Sequence, residues 1–311
     1  MNCFSGRFIL FWLIFLNFYI PVQAGEAPLV LIYAPPTPAS IPLILAAETL
    51  PTVQVKIFTN HSQAHALFLK GEVEILCTGL AVGVNFFRRG IPVQIINSHV
   101  SGLTWLVTDP GIKKFRDLKG TTLYLPFAGS PIEEVTQFFA RAEGLIWNRD
   151  ITIKYSPVPG ATALLGQGRI RAAALPEPFV SLVLKQTGQG QRPVKLHLAA
   201  DYKALWQKHT GNLYGYPQVG TFVHPVFARS HALLIHALNV ALARAISSIS
   251  RNPDQAATTA GLYMDFPHDV LLSSLGRTKF HLWHGEDLKQ VIYHYYQTIG
   301  TPLDDTFNAF F

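Results

Sequence analysis

Two short stretches carry the residue types best suited to holding a small molecule. In Pro126-Phe127-Ala128-Gly129-Ser130-Pro131, Gly129 lets backbone approach a ligand closely and Ser130 is placed to cap a helix. Pro131 suits the first helical turn, and Phe127 offers a ring for stacking. Leu175-Pro176-Glu177-Pro178-Phe179 sets an acid between two prolines. That carboxylate can accept hydrogen bonds from an amine or amidine, or it can simply favour the positive end of the helix beginning at Pro178. A third stretch, Ala34-Pro35-Pro36-Thr37-Pro38-Ala39-Ser40, is stiffened by three prolines and offers the hydroxyls of Thr37 and Ser40 as donors and caps. A rigid lip of this kind loses little entropy on binding. Asn60-His61-Ser62 and Thr78-Gly79 add polar groups at two more strand ends, where ordinary capping is the alternative role.

Catalytic patterns are missing from the sequence. It contains no Gly-x-Ser-x-Gly elbow, no Walker loop and no His-Glu-x-x-His. His61 and His65 stand four apart, a spacing that ligates metal on one helical face, with Glu72 nearby; solvated or capping histidines have the same spacing, and no metal or cofactor is expected. His281-x-x-His284 and His294 sit among aromatic residues and read as packing side chains with polar tips outward.

The 311 residues carry a formal charge of +6 with only 14% charged side chains. The basic residues are dispersed, so a nucleic-acid partner is not expected. The amino-terminal segment has Arg7, an apolar run from Phe8 to Ile20, then Pro21 and the small-residue ending Val22-Gln23-Ala24. This is the layout of a secretory signal peptide over residues 1–24, with cleavage after Ala24 and a periplasmic destination. An uncleaved anchor is the rival reading, against which Asn17 and Pro21 interrupt the run. Cleavage removes Cys3 and leaves Cys77 without a disulfide partner, so packing alone must stabilise the fold.

The elements that position these loops are written twice. Ala64-x-Ala66-Leu67 followed by Gly71-x-Val73 recurs as Ala161-x-Ala163-Leu164 followed by Gly168-x-Ile170. Each copy begins with an alternating run, Val53-x-Val55-x-Ile57 or Ile151-x-Ile153-x-Tyr155, the period of a half-buried strand. An apolar helix closing on a glycine follows, then a short apolar run suited to a strand buried on both faces. Two copies predict two α/β lobes, each a mainly parallel sheet flanked by helices with a hinge between them. The first lobe is assigned residues 25–104 with 224–311 returning to it, and the second 105–223. Ligands of such sheets sit beyond the carboxyl ends of the strands, so the loops named above should face each other across a cleft.

The order Asp117-Leu118-Lys119-Gly120, Gly129-Ser130-Pro131, Ala161 to Gly168-x-Ile170 and Leu175 to Phe179 resembles the periplasmic solute-binding proteins of the sulfonate, nitrate and thiamine-precursor group. The likeness extends to Gln63-Ala64 through Glu74 and to Phe227-Ala228-Arg229 through Asn252-Pro253. It implies a hinged type II binding-protein fold, a monomer that delivers a small organic solute to the membrane permeases of an ABC importer. The ligand-binding residues so expected are Thr37, Ser40, Asn60, His61, Thr78, Phe127, Gly129, Ser130 and Glu177. The resemblance also includes enzymes of thiamine-pyrimidine synthesis; those need a His/Cys-rich stretch, which a single Cys77 does not supply. The chain departs from the group's pattern at Glu74 and Arg171, where an aspartate is usual. Lys and Arg are absent from the candidate loops, which leaves a neutral or amine-bearing ring as open as a sulfonate.

Overall fold

The computed structural model describes residues 29–187 and 194–311; the expected leader and the Gly188–Gln191 loop lie outside them. The chain runs through β1 (Val30–Ala34), α1 (Ser40–Ala47), β2 (Val53–Ile57), α2 (His61–Leu69), β3 (Ile75–Gly79), α3 (Leu80–Arg88) and β4 (Gln94–Gly102). After Leu103 come β5 (Thr104–Thr108), β6 (Thr121–Leu125), α4 (Pro131–Ala142), β7 (Ile151–Tyr155), α5 (Val158–Gly166) and β8 (Ala172–Pro176). Next are α6 (Phe179–Thr187), β9 (His197–Asp201) and α7 (Tyr202–Thr210). The last part holds β10 (Val219–Val223), α8 (Pro225–Ser230), α9 (Ala232–Arg251), α10 (Pro253–Gly261), α11 (His268–Arg277), β11 (Lys279–Trp283) and α12 (Gly285–Thr298).

Two sheets result, with strand orders β11-β4-β10-β3-β1-β2 and β7-β6-β8-β5-β9. The sequence repeat is visible in them: β2 and β3 flank β1 in parallel, and β7 and β8 flank β6 in parallel. Gly71 and Gly168, the glycines that close the repeated helices, have φ of 74° and 68°. That is the left-handed conformation an L side chain resists. The final strands of the repeats, β3 and β8, are buried almost end to end, as continuous apolar runs require.

Two expectations change. Val219–Val223, assigned to the second block, lies in the first sheet between β3 and β4. All five of its residues are buried, so no alternating pattern marks a preferred sheet and the choice is made by distant partners. The chain therefore returns between α7 and β10, ahead of residue 223. Both sheets are also mixed: β10 runs antiparallel to β3 and β4, and β5 antiparallel to β8 and β9. At the edge of the first sheet β11 pairs antiparallel with β4.

One apolar cluster joins the lobes. It contains Phe68, Leu76 and Phe222 of the first lobe, Leu123, Phe139 and Trp206 of the second, and Tyr295 and Tyr296 of α12. The outer face of the first sheet packs Ile32, Ile75 and Val100 against Leu238 and Leu242 of α9. The second sheet covers Val107, Ala173 and Leu175 with Leu165, Val180 and Val183. Each fully buried Leu, Ile, Val or Phe contributes about 1.5–3 kcal/mol through removal from water. The carboxy-terminal helix thus ties the two lobes at the side of the molecule where Arg88 packs over the Tyr296 and Phe307 rings.

Candidate ligand-binding cleft

Strand polarity decides where the candidate loops go. The carboxyl ends of β3, β1 and β2 lie at one edge of the first sheet, those of β7, β6 and β8 at one edge of the second. Both edges adjoin the two crossings between lobes. Gln218, on the return crossing, accepts from the Leu103 N–H through Oε1 at 3.2 Å and donates through Nε2 to Thr104 Oγ1. Its carbonyl accepts from Leu80 N–H at 3.1 Å and its own N–H donates to Val100 at 3.1 Å. A single buried side chain therefore fastens both crossings at the base of the gap.

On the first lobe, the proline-rich lip folds on itself: Thr37 N–H donates to Pro35 at 2.8 Å and Ser40 N–H to Thr37 at 3.0 Å. Ser40 is not the cap expected. Ala39 occupies that position, and the Ser40 hydroxyl, fully buried, donates to the Pro35 carbonyl. Thr37 Oγ1 is buried without a hydrogen-bond partner. Below the lip, His99 Nε2 lies 2.7 Å from the Ala39 carbonyl, His99 Nδ1 3.2 Å from Asn97 Oδ1, and Asn97 donates to Asn239 at 2.8 Å. This buried chain anchors the lip to α9.

Asn60 caps α2, accepting from Gln63 N–H at 3.1 Å. His61 packs its ring edge-on to Phe58 at 4.9 Å, and His65 packs edge-on to Phe86 at 5.5 Å. His65 Nε2 meets Thr78 Oγ1 at 3.2 Å. The two imidazoles are 5.9 Å apart. Partial desolvation lowers the pKa of His61, and burial with the neighbouring His61 lowers that of His65 to about 4, so both rings are neutral at physiological pH. Among the described residues no group of three His, Cys, Asp or Glu side chains is placed to hold a metal ion.

On the second lobe, Ser130 caps α4 as its position in Ser-x-x-Glu suggests, accepting from Glu133 N–H at 3.1 Å. The Glu133 carboxylate reaches back to Gly129 N–H at 2.5 Å and accepts from the Tyr155 hydroxyl at 2.5 Å. Gly129 has φ of 74°. Glu177 is fully buried: Oε2 accepts from Ser181 N–H at 3.0 Å, while Oε1 has no hydrogen bond and lies 3.6 Å from Arg277 Nη1 of α11. Burial raises its pKa, opposed by Ser181 and Arg277.

The lobes meet across this gap. A Cβ on Gly79 would lie 2.3 Å from Pro131 Cγ, and one on Gly129 3.6 Å from Asn85 Nδ2. The Phe127 ring stands 6.1 Å from that of His61 and keeps 36% exposure. His61, Thr78, Phe127, Gly129 and Ser130 are thus drawn into one neighbourhood, Thr37 shares the strand edge with Thr78, and Glu177 occupies the hinge side beside Leu103. Asn85, Glu133 and Gln218 were not foreseen as part of it. Only Glu133 had a local signal, the capping-box spacing from Ser130.

This is the two-lobed α/β fold of the solute-binding proteins of ABC importers. Similar solved structures include an ABC transporter protein from Parabacteroides distasonis, 20% identical with a TM-score of 0.70 over 90% of this chain and 97% of that one. The periplasmic aliphatic sulphonate binding protein from Escherichia coli is 18% identical, TM-score 0.71, covering 91% and 87%. The periplasmic nitrate-binding protein from Synechocystis PCC 6803 is 13% identical, TM-score 0.65, covering 85% and 75%. No protein-family model and no curated protein matches the sequence.

Proposed function

We propose that the chain is the solute-binding component of an ABC import system, capturing a small organic solute between its lobes by hinge closure. The observation that carries this reading is the meeting of two strand-end loops across the gap, Gly79 against Pro131 and His61 against Phe127. Loops from separate lobes in such contact enclose a ligand and expel water when the lobes close. The named solutes of the sulphonate- and nitrate-binding neighbours support a small-molecule cargo.

The proposed site comprises Thr37, Ser40, Asn60, His61, Thr78, Phe127, Gly129, Ser130 and Glu177. The proposed division places the hinge at Leu103 and at residues 211–218, with the residues between forming the second lobe. The protein acts as a periplasmic monomer, its leader removed after Ala24, and presents both lobes to permease subunits. No catalytic role is assigned: Cys77 is fully buried and burial pushes its thiol pKa up, so it offers no nucleophile.

A thermal-shift screen of sulfonates, nitrate, aromatic acids, amides and amines tests the reading. Stabilisation by several degrees with the compound recovered chemically unchanged is expected. Recovery of a converted product would overturn it in favour of an enzyme.

A further inference from the structure

We infer that the cleft takes a flat ring carrying no negative charge, held between the imidazole of His61 and the phenyl ring of Phe127. The inference rests on the solute-capture reading and specifies its ligand class. From buried Phe58 a row of rings, His61, His65 and Phe86, runs in successive edge-on contacts on one lobe, with Phe127 opposite His61. The His61 and Phe127 rings are inclined at 49°, neither stacked nor perpendicular, and both remain exposed. A ring entering as the lobes part gains two π faces at once, in place of the one tilted contact they make with each other.

An anion meets a different set of groups. Sulfonates and nitrate are held by cations or by free amides at helix N-termini. Here the chain's own acceptors take at least one such amide at each of α2, α3, α4 and α6. Gly129 N–H is held by the Glu133 carboxylate at 2.5 Å, Glu133 N–H by Ser130 at 3.1 Å, and Gln63 N–H by Asn60 at 3.1 Å. Ser181 N–H is held by the Glu177 carboxylate at 3.0 Å, and Leu80 N–H by the Gln218 carbonyl at 3.1 Å. Two of these acceptors are carboxyl groups, which repel a second anion when ionised. The cation at the Glu177 loop, Arg277, already faces Glu177 at 3.6 Å and donates to Ser181 Oγ at 2.8 Å. Loops 34–40, 58–63, 77–81, 126–131 and 176–179 contain no Lys or Arg. The uncharged groups these loops add are the His61 and His65 rings and the unpartnered Thr37 Oγ1.

The test uses one phenyl ring with three charges: benzamide, benzamidine and benzoate, with benzenesulfonate, methanesulfonate and nitrate as further anions. Titration of the full chain is followed by thermal shift and calorimetry. Benzamide or benzamidine is expected to stabilise the protein, with benzoate at least about tenfold weaker and the three other anions silent. His61→Ala and Phe127→Ala, both at exposed positions, are each expected to weaken the binding phenyl compound about three- to tenfold at unchanged melting temperature of the free protein. Tighter binding of benzoate, a sulfonate or nitrate overturns the ligand class while leaving solute capture in place. Silence of all three phenyl compounds also overturns it, and capture is then judged on the wider screen above. A binding phenyl compound recovered chemically changed would instead remove the capture reading itself.

Discussion

Pro131 of the second lobe seats directly on Gly79 of the first, so closely that a Cβ there would fall 2.3 Å from the proline ring. Gly79 has φ of −59°, which any residue adopts. Its lack of a side chain is therefore required by the opposite lobe and not by its own backbone. Gly79→Ala is expected to fold normally and to hold the lobes apart. Affinity for the captured compound should fall about tenfold or more, with a melting temperature within a degree or two of the parent in the absence of ligand. Unchanged affinity would show that this contact is not part of closure.

Gln218 gives a second prediction, on hinge integrity. Its side chain satisfies the Leu103 N–H and the Thr104 hydroxyl, both buried. Gln218→Ala leaves these groups without partners and is expected to lower stability by about 1–3 kcal/mol in urea denaturation. Gln218→Glu should not fully rescue it: the carboxylate can accept from both groups, but at this buried position its charge is lost from water.

Glu134 carries a pH effect in the opposite sense to most carboxylates. It lies between Tyr296, whose hydroxyl is 3.3 Å away, and the Arg88 charge, and burial raises its pKa to about 7. The folded form therefore binds a proton that the unfolded chain has released above its ordinary value of 4.5. Stability from this group is complete below that value and is lost as pH rises through about 7. Glu134→Gln should match the parent at pH 5 and exceed it at pH 8 by about 1–3 kcal/mol, partial exposure being allowed for. Equal stability at both pH values would contradict this.

His99 works the other way. It is fully buried beneath the lip, and burial lowers its pKa to about 4, opposed by its contact with the Ala39 carbonyl. Its contribution is present above the ordinary histidine value of 6.5 and is lost as pH falls toward 4. For a group so buried the loss amounts to about 3 kcal/mol. In a Glu134→Gln background, which removes the compensating carboxyl, melting temperature should decline steadily between pH 6.5 and 4. His65, with the same pKa of about 4, adds to the decline. His99→Gln should flatten the curve and, by loosening the Ala39 anchor, raise the exchange rate of amides in the lip.

Local chemistry was legible where one segment determined its own shape. The repeat, the glycines that end its helices, the Ser130 and Asn60 caps, and the carboxyl-edge location of the loops could all be read from residue order. Ser40 was misread because a cap and a first-turn residue differ only in which atom the hydroxyl bonds, and here it bonds Pro35. The sheet membership of β10 was not legible, since five buried residues pair equally well anywhere until β3 and β4 are placed. The Glu177 contact with Arg277 spans distant parts of the chain and has no local signature. Nor did spacing distinguish a metal-like His61/His65 pair from the neutral rings that line the cleft mouth.

The central claim is closure of two lobes on a guest, and small-angle X-ray scattering reads it directly. With the compound that stabilises the protein most in the screen, the radius of gyration of the parent chain should fall on binding, while Gly79→Ala should stay expanded under the same conditions. A bound parent whose scattering is indistinguishable from the free protein, with the free protein already expanded, would contradict it.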